Sequence, residues 1–144
     1  MCTQMDARTD IDVTRDRLDD DAAASVLAVD DQKPFRALLC RLVKETPGLV
    51  VVGEADCGEQ AVELAQLLEP ALVLMDVRMP GIGGIAATTQ IKELRPRTIV
   101  VLVSTTHREQ LEGAAAECAA DAVVWKSDLR PSLLGDLWRT HGSR

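Results

Sequence analysis

Leu72-Val73-Leu74-Met75 is an unbroken apolar run that ends on a carboxylate, Asp76, and soon meets Pro80-Gly81. A short run of that kind has no face suited to water, so it predicts a strand buried on both sides within a parallel sheet. The reversal after it puts Asp76 at the carboxyl edge, where open α/β sheets gather their chemistry. Three other apolar runs end comparably: residues 25–29 on Asp30-Asp31, residues 98–103 on Ser104, and residues 122–125 on Lys126. Residues 49–55, LVVVGEA, supply a fifth strand.

Between these runs the apolar spacing changes to that of helices. Pro34 can open a first helix, carried by Phe35, Leu38, Leu39, Leu42 and Val43 and ended by Pro47-Gly48. Ala61, Leu64, Ala65 and Leu68 mark a second; Ile85, Thr88, Ile91 and Leu94 a third, beyond the Gly81-Ile82-Gly83-Gly84 loop. A fourth is expected over about 108–118 and a fifth carrying Leu129, Leu133, Leu134, Leu137 and Trp138. Strands alternating with helices imply right-handed crossovers and a doubly wound parallel sheet, one α/β domain.

Composition narrows the function. With 144 residues, one core is enough. The charge of −7 argues against direct nucleic-acid contact, which calls for a basic stripe. No apolar run approaches the ~18 residues of a membrane span. Acids interrupt the N-terminus where a secretory leader would be apolar, so a cytoplasmic protein is expected. Residues 1–24 hold seven Asp against three Arg and few large apolar side chains, the profile of a disordered acidic tail; residues 141–144 form a short C-terminal tail. Cys2, Cys40, Cys57 and Cys118 show no metal-ligand spacing and are expected as free thiols. His107 and His141 are isolated and receive no role.

Carboxylates at Asp30, Asp31 and Asp76, a hydroxyl at Ser104 and an ammonium at Lys126, all delivered to one edge, suit a hard cation and a phosphoryl group. These residues, with the segments VVGEADCGEQAVELA and LVLMDVRMPGIGGIAAT, resemble the receiver domain of bacterial two-component response regulators, CheY-like and of the NarL/FixJ type, over about residues 25–140. The resemblance implies a flavodoxin-like (βα)5 fold with strand order 2-1-3-4-5. It implies that Asp76 is the phosphoacceptor and that Asp31, Asp76 and the backbone carbonyl of Arg78 ligate Mg2+, with Asp30 doing so mainly through water. It implies that Lys126 contacts the phosphoryl oxygens and Ser104 donates to them; a slip of one residue would give that role to Thr105, but the interval to Lys126 favours Ser104. A sensor histidine kinase or phosphotransfer protein is the implied donor, with a downstream protein partner and a homodimer among the outcomes. No catalysis is expected beyond the domain's own phosphorylation and dephosphorylation.

One position departs from the pattern. Receivers usually carry an aromatic switch residue three positions before the lysine, where this chain has Val123. Strand alternation puts Val123 and Trp125 on one face, so Trp125 can take over part of the readout or simply cover helix packing. The fourth helix is poor in large apolar groups, Leu111 apart, and its Ala114, Ala115 and Ala116 suit an element that moves. Output through the fourth helix, fifth strand and fifth helix is therefore expected. Rival readings are a phosphorylation-independent interaction module, a receiver fragment of a DNA-binding transcription regulator, and a phosphatase. The last lacks a general acid two residues after Asp76, where Arg78 stands.

Overall fold

A computed structural model describes residues 23–105 and 108–142, with backbone alone for 108–112. The expectation of an acidic tail falls on residues 1–22, outside the described residues, as do Cys2, Thr106, His107 and the side chain of Leu111. Among the described residues five strands alternate with five α-helices, with a 3-10 turn (Lys126–Asp128) before the last: β1 (Ala24–Val29), α1 (Lys33–Lys44), β2 (Leu49–Ala55), α2 (Gly58–Leu68), β3 (Leu72–Asp76), α3 (Gly83–Leu94), β4 (Ile99–Ser104), α4 (Arg108–Cys118), β5 (Ala122–Trp125) and α5 (Pro131–His141). The strands form one parallel sheet in the order β2-β1-β3-β4-β5, the flavodoxin-like arrangement.

β3 and β4 are buried at every position, as their unbroken apolarity requires. Alternation divides their side chains between two cores. Val26, Leu72, Leu74, Val101 and Val103 pack with Leu39, Leu42 and Val43 of α1 and Leu134 of α5. Leu27, Val29, Val73, Met75 and Leu102 pack on the other face with Ala61, Ala65, Ala87, Ile91 and Ala115 of α2, α3 and α4. Val123 and Trp125 both join this second core, as their spacing predicts. No helix among the described residues is long and apolar enough to cross a membrane.

The starts of β1, β4 and α5 differ from the sequence reading. β1 starts one residue early, at Ala24, whose amide donates to Gly48. β4 starts at Ile99, because the Thr98 hydroxyl bonds Pro70 O and its amide closes a turn onto Arg95 O. Leu129 lies outside α5: Pro131 holds Arg130 in an extended conformation, so the helix begins at the proline. α4 stops at Cys118, as its sequence predicts, where Ala119 adopts a left-handed φ of 67° and the Ala120 amide returns to Ala115 O. Ala119 and Ala120 thus form the cap that follows the helix.

The three described cysteines are free, as expected. Burial, then the Glu54 carboxylate beside it, pushes the Cys40 thiol up to about 11, and burial also raises Cys118. Neither favours the reactive thiolate.

Candidate functional site

The ends of β1, β3 and β4 and the first residue after β5 converge on a small cavity of about 150 Å3 lined by Asp31, Gln32, Asp76, Arg78, Ser104, Thr105 and Lys126. Parallel strands pair so that this happens automatically: Asp76 stands opposite Val103, and Ser104 opposite Trp125, leaving Lys126 one step beyond the ladder in a 3-10 turn. Larger hollows, about 350 Å3 beside Leu94 and about 380 Å3 between β5 and α5, gather no comparable set of carboxylates.

Asp30 is fully buried and Asp76 nearly so, whereas Asp31 is exposed. Lys126 Nζ lies 3.3 Å from Asp30 Oδ2 and 3.2 Å from Asp76 Oδ1, bridging the two buried acids. The ring of Phe35 closes over the same ammonium, 4.2 Å from Nζ, an attraction the ring's negative face favours. Asp30 Oδ1 accepts the Gln32 amide at 2.8 Å, but its buried Oδ2 takes no hydrogen bond. At 3.3 Å, Lys126 supplies that oxygen with charge without the geometry of a donor.

Burial, then the negative charge of Asp30, lifts Asp76 from 3.8 to about 6, and Lys126 moderates the rise. Lys126 shifts the opposite way: burial works against its charged form, but Asp76 and Asp30 outweigh burial and hold the ammonium above its usual range. Such a cluster is short of positive charge. Asp30, Asp31 and Asp76 each offer a carboxylate oxygen, all within 4.8 Å of one another. An all-oxygen donor set, one member buried and lacking a hydrogen bond, fits Mg2+, which prefers hard oxygen ligands and relieves mutual carboxylate repulsion.

The backbone after Asp76 is shaped by glycine. Gly81 and Gly83 take left-handed φ values of 79° and 77°. The Gly84 amide bonds Val77 O at 2.9 Å, and a Cβ on Gly84 would overlap the carbonyl of Asp76. Only glycine lets α3 start this close beneath the acid.

All the residues expected at the edge from sequence meet there: Asp30, Asp31, Asp76, Arg78, Ser104, Thr105 and Lys126 surround or underlie one cavity. Val123 and Trp125 stand apart from it, on the face toward α2, α3 and α4. Sequence reading missed Gln32, Phe35 and Arg36. Gln32 could have been found, since an Asp two residues ahead of a free amide just before a proline-opened helix is a common side-chain turn. Phe35 and Arg36 carry no local signal.

A doubly wound sheet whose carboxyl edge presents acids, hydroxyl and lysine in this way defines the CheY-like class of signalling domains. The family model of the response regulator receiver domain matches residues 26–135, and the chain belongs to that family, a component of two-component systems. It is 45% identical over 101 residues to the response regulator GacA of Pseudomonas aeruginosa, covering 70% of this chain and 47% of the relative. It is 34% identical over 108 residues to the nitrate/nitrite response regulator NarL of Escherichia coli K12, covering 75% and 50%. The chain therefore spans about half the length of these relatives. Among solved structures, the response regulator domain of Thermotoga maritima CheB is similar at a TM-score of 0.75 and 29% identity, covering 85% of this chain and 98% of that one.

Proposed function

We propose that this receiver accepts a phosphoryl group on Asp76 in a Mg2+-dependent step and signals through the surface of α4, β5 and α5. The observation that carries the reading is the bridging of Asp30 and Asp76 by Lys126 at the mouth of a small cavity. One Asp76 oxygen attacks phosphorus while the bond to the donor breaks, and the donor's leaving group, imidazole for a phosphohistidine, departs with the electron pair. A value near 6 leaves Asp76 largely ionised at neutral pH, as a nucleophile must be. Asp30, Asp31, Asp76 and the Arg78 carbonyl would hold Mg2+, which neutralises charge on the transferring group. Lys126 then exchanges a carboxylate partner for a phosphoryl oxygen, and Ser104 at the end of β4 donates to another. Later attack by water on phosphorus returns Asp76; no other substrate is turned over.

The implied donor is a sensor histidine kinase or phosphotransfer protein in the cytoplasm. The output partner is another protein, with a second copy of the receiver among the candidates, and the chain itself makes no direct contact with nucleic acid. Trp125 supports the output assignment, since it lies beside the hollow between β5 and α5 and shares a face with Val123.

Intact mass after incubation with acetyl phosphate and Mg2+ tests the reading. Wild type gains one phosphoryl group, while Asp76→Asn and a chelator-treated sample gain none. An adduct that survives Asp76→Asn refutes the assignment. Trp125 fluorescence should change on addition of beryllofluoride with Mg2+, and an unchanged signal removes its part in the readout.

A further inference from the structure

We infer that Arg36 is a positioning residue for the acid pair, holding the Asp30-Asp31 peptide in the orientation that presents carboxylates to a cation, and that Glu54 in turn aims Arg36. The inference rests on the metal-binding reading above.

Every polar group of Asp30 except one is committed. Its amide donates to Ala55 O at 3.1 Å, its Oδ1 accepts from Gln32, and its carbonyl accepts from Arg36 Nη1 at 2.8 Å. Only Oδ2 lacks a hydrogen bond. The carbonyl matters because the peptide plane it fixes contains the amide of Asp31, so it sets the direction in which the second acid leaves the strand. Asp31 is exposed, so burial does little to orient it. Release of the Asp30 carbonyl would let both acids sample other arrangements.

Glu54 meets Arg36 because β2 breaks its own alternation. The pairing of β1 with β2 slips by one residue between Val26 and Leu27, opposite Val51 and Gly53. Upstream of the slip, Leu49 and Val51 face α1; beyond it, Ala55 packs in the opposite core. Its neighbour Glu54 is thereby turned toward α1, where its Oε1 accepts Arg36 Nε at 3.0 Å. Without the bulge, Glu54 would face away from Arg36.

An ion pair with one half-exposed partner contributes little to stability. Glu54 is 52% exposed, but Arg36 only 16%, and the arginine's second bond goes to the site rather than to solvent. The planar guanidinium makes both bonds from one rigid fork, which a lysine cannot reproduce.

Titration calorimetry with MgCl2 on the full chain tests this, comparing wild type with Arg36→Met, Arg36→Lys and Glu54→Gln. Arg36→Met should weaken Mg2+ roughly tenfold, as loss of an outer-shell partner does. Arg36→Lys should fall between it and wild type, and Glu54→Gln should shift affinity in the same direction by less. In metal-free protein, amide exchange at Gln32 should accelerate in Arg36→Met. Wild-type Mg2+ affinity or unchanged Gln32 protection in Arg36→Met overturns the inference and leaves the arginine a packing residue. If Arg36→Met does not fold, unchanged affinity in both Arg36→Lys and Glu54→Gln overturns it equally. Wild type that binds no Mg2+ would instead sink the proposed function, and this inference with it.

Discussion

Asp76→Asn should make the metal-free protein more stable at neutral pH while abolishing its function. Asp76 has its side chain only 6% exposed beside the negative Asp30, and its proton affinity rises from 3.8 to about 6. At about 1.4 kcal/mol for each tenfold change, that gap means that ionised Asp76 destabilises the fold by about 3 kcal/mol. Asparagine removes the charge, and the poorer fit of an amide among partners placed for a carboxyl group costs about 1 kcal/mol in return. A net gain of about 2 kcal/mol remains, or roughly 5–10 °C in Tm for a domain of this size.

The direction with pH follows from the raised folded value. Stability associated with Asp76 is fully present below its unfolded value near 3.8 and is lost as pH rises through about 6. Urea melts in EDTA at pH 4, 5, 6 and 7.5 should therefore show little difference between variant and wild type at pH 4 and a gap that opens across pH 4–6. Carboxylates remote from Asp76 titrate in both proteins and cancel in the comparison. With MgCl2 the order should reverse, since a cation at a hundred times its dissociation constant adds about 2.7 kcal/mol to whichever protein binds it. A variant no more stable than wild type at pH 7.5 in EDTA, or a gap that does not close toward pH 4, would refute the reasoning.

Lys126→Met removes the charge that moderates Asp76, so the Asp76 titration should move above about 6; carboxyl carbon NMR of aspartate-labelled protein reads it, and an unmoved midpoint contradicts the bridging role. Gly84→Ala should destabilise by about 3 kcal/mol or more because its Cβ overlaps the Asp76 carbonyl, whereas Gly83→Ala, whose Cβ meets only Val77 O at 3.8 Å, should lose about 1 kcal/mol to its left-handed φ. Equal losses in denaturant melts would show that the close approach beneath Asp76 is unimportant. Lys92→Met should lose about 2–3 kcal/mol, because Nζ donates to Thr98 O at 2.8 Å, Asp121 Oδ2 at 2.9 Å and Pro96 O at 3.1 Å. A loss below 0.5 kcal/mol in the same assay would place that cluster among inconsequential surface pairs.

The strand ends were legible because their signal is local. An apolar run declares a buried strand, and in a parallel sheet the residue after it must stand at the carboxyl edge, so Asp30, Asp76, Ser104 and Lys126 were placed together before any contact was known. Strand order was not contained in the alternation itself and came with the family resemblance. The start of α5 differed from the reading although Pro131 dictates that boundary through the conformation of Arg130, a readable rule. The end of α4 at Cys118 matched its expected place. Arg36 was invisible because its role depends on a one-residue slip between two strands. That slip is a property of their pairing, and the usual alternation would have turned Glu54 to the wrong face.

The two edges of the sheet use the same chemistry to opposite ends. At the amino edge, Asp121 Oδ2 accepts both Lys92 Nζ and the Val100 amide at 2.9 Å, and the pair leaves β4 pinned to the start of β5. At the carboxyl edge, one lysine serves two buried acids, and Asp30 Oδ2 has charge nearby without a hydrogen bond. A satisfied pair resists change, whereas an under-neutralised cluster gains most when a cation arrives. The two edges are joined by β4, which is buried along its whole length from Val100 beside Asp121 to Ser104 at the cavity. A change in charge around Asp76 therefore meets a strand that is pinned at its start and buried to its last residue, Ser104. Ser104 lies opposite Trp125 in the pairing of β4 with β5, which sets the end of the buried strand beside the edge strand's last residue.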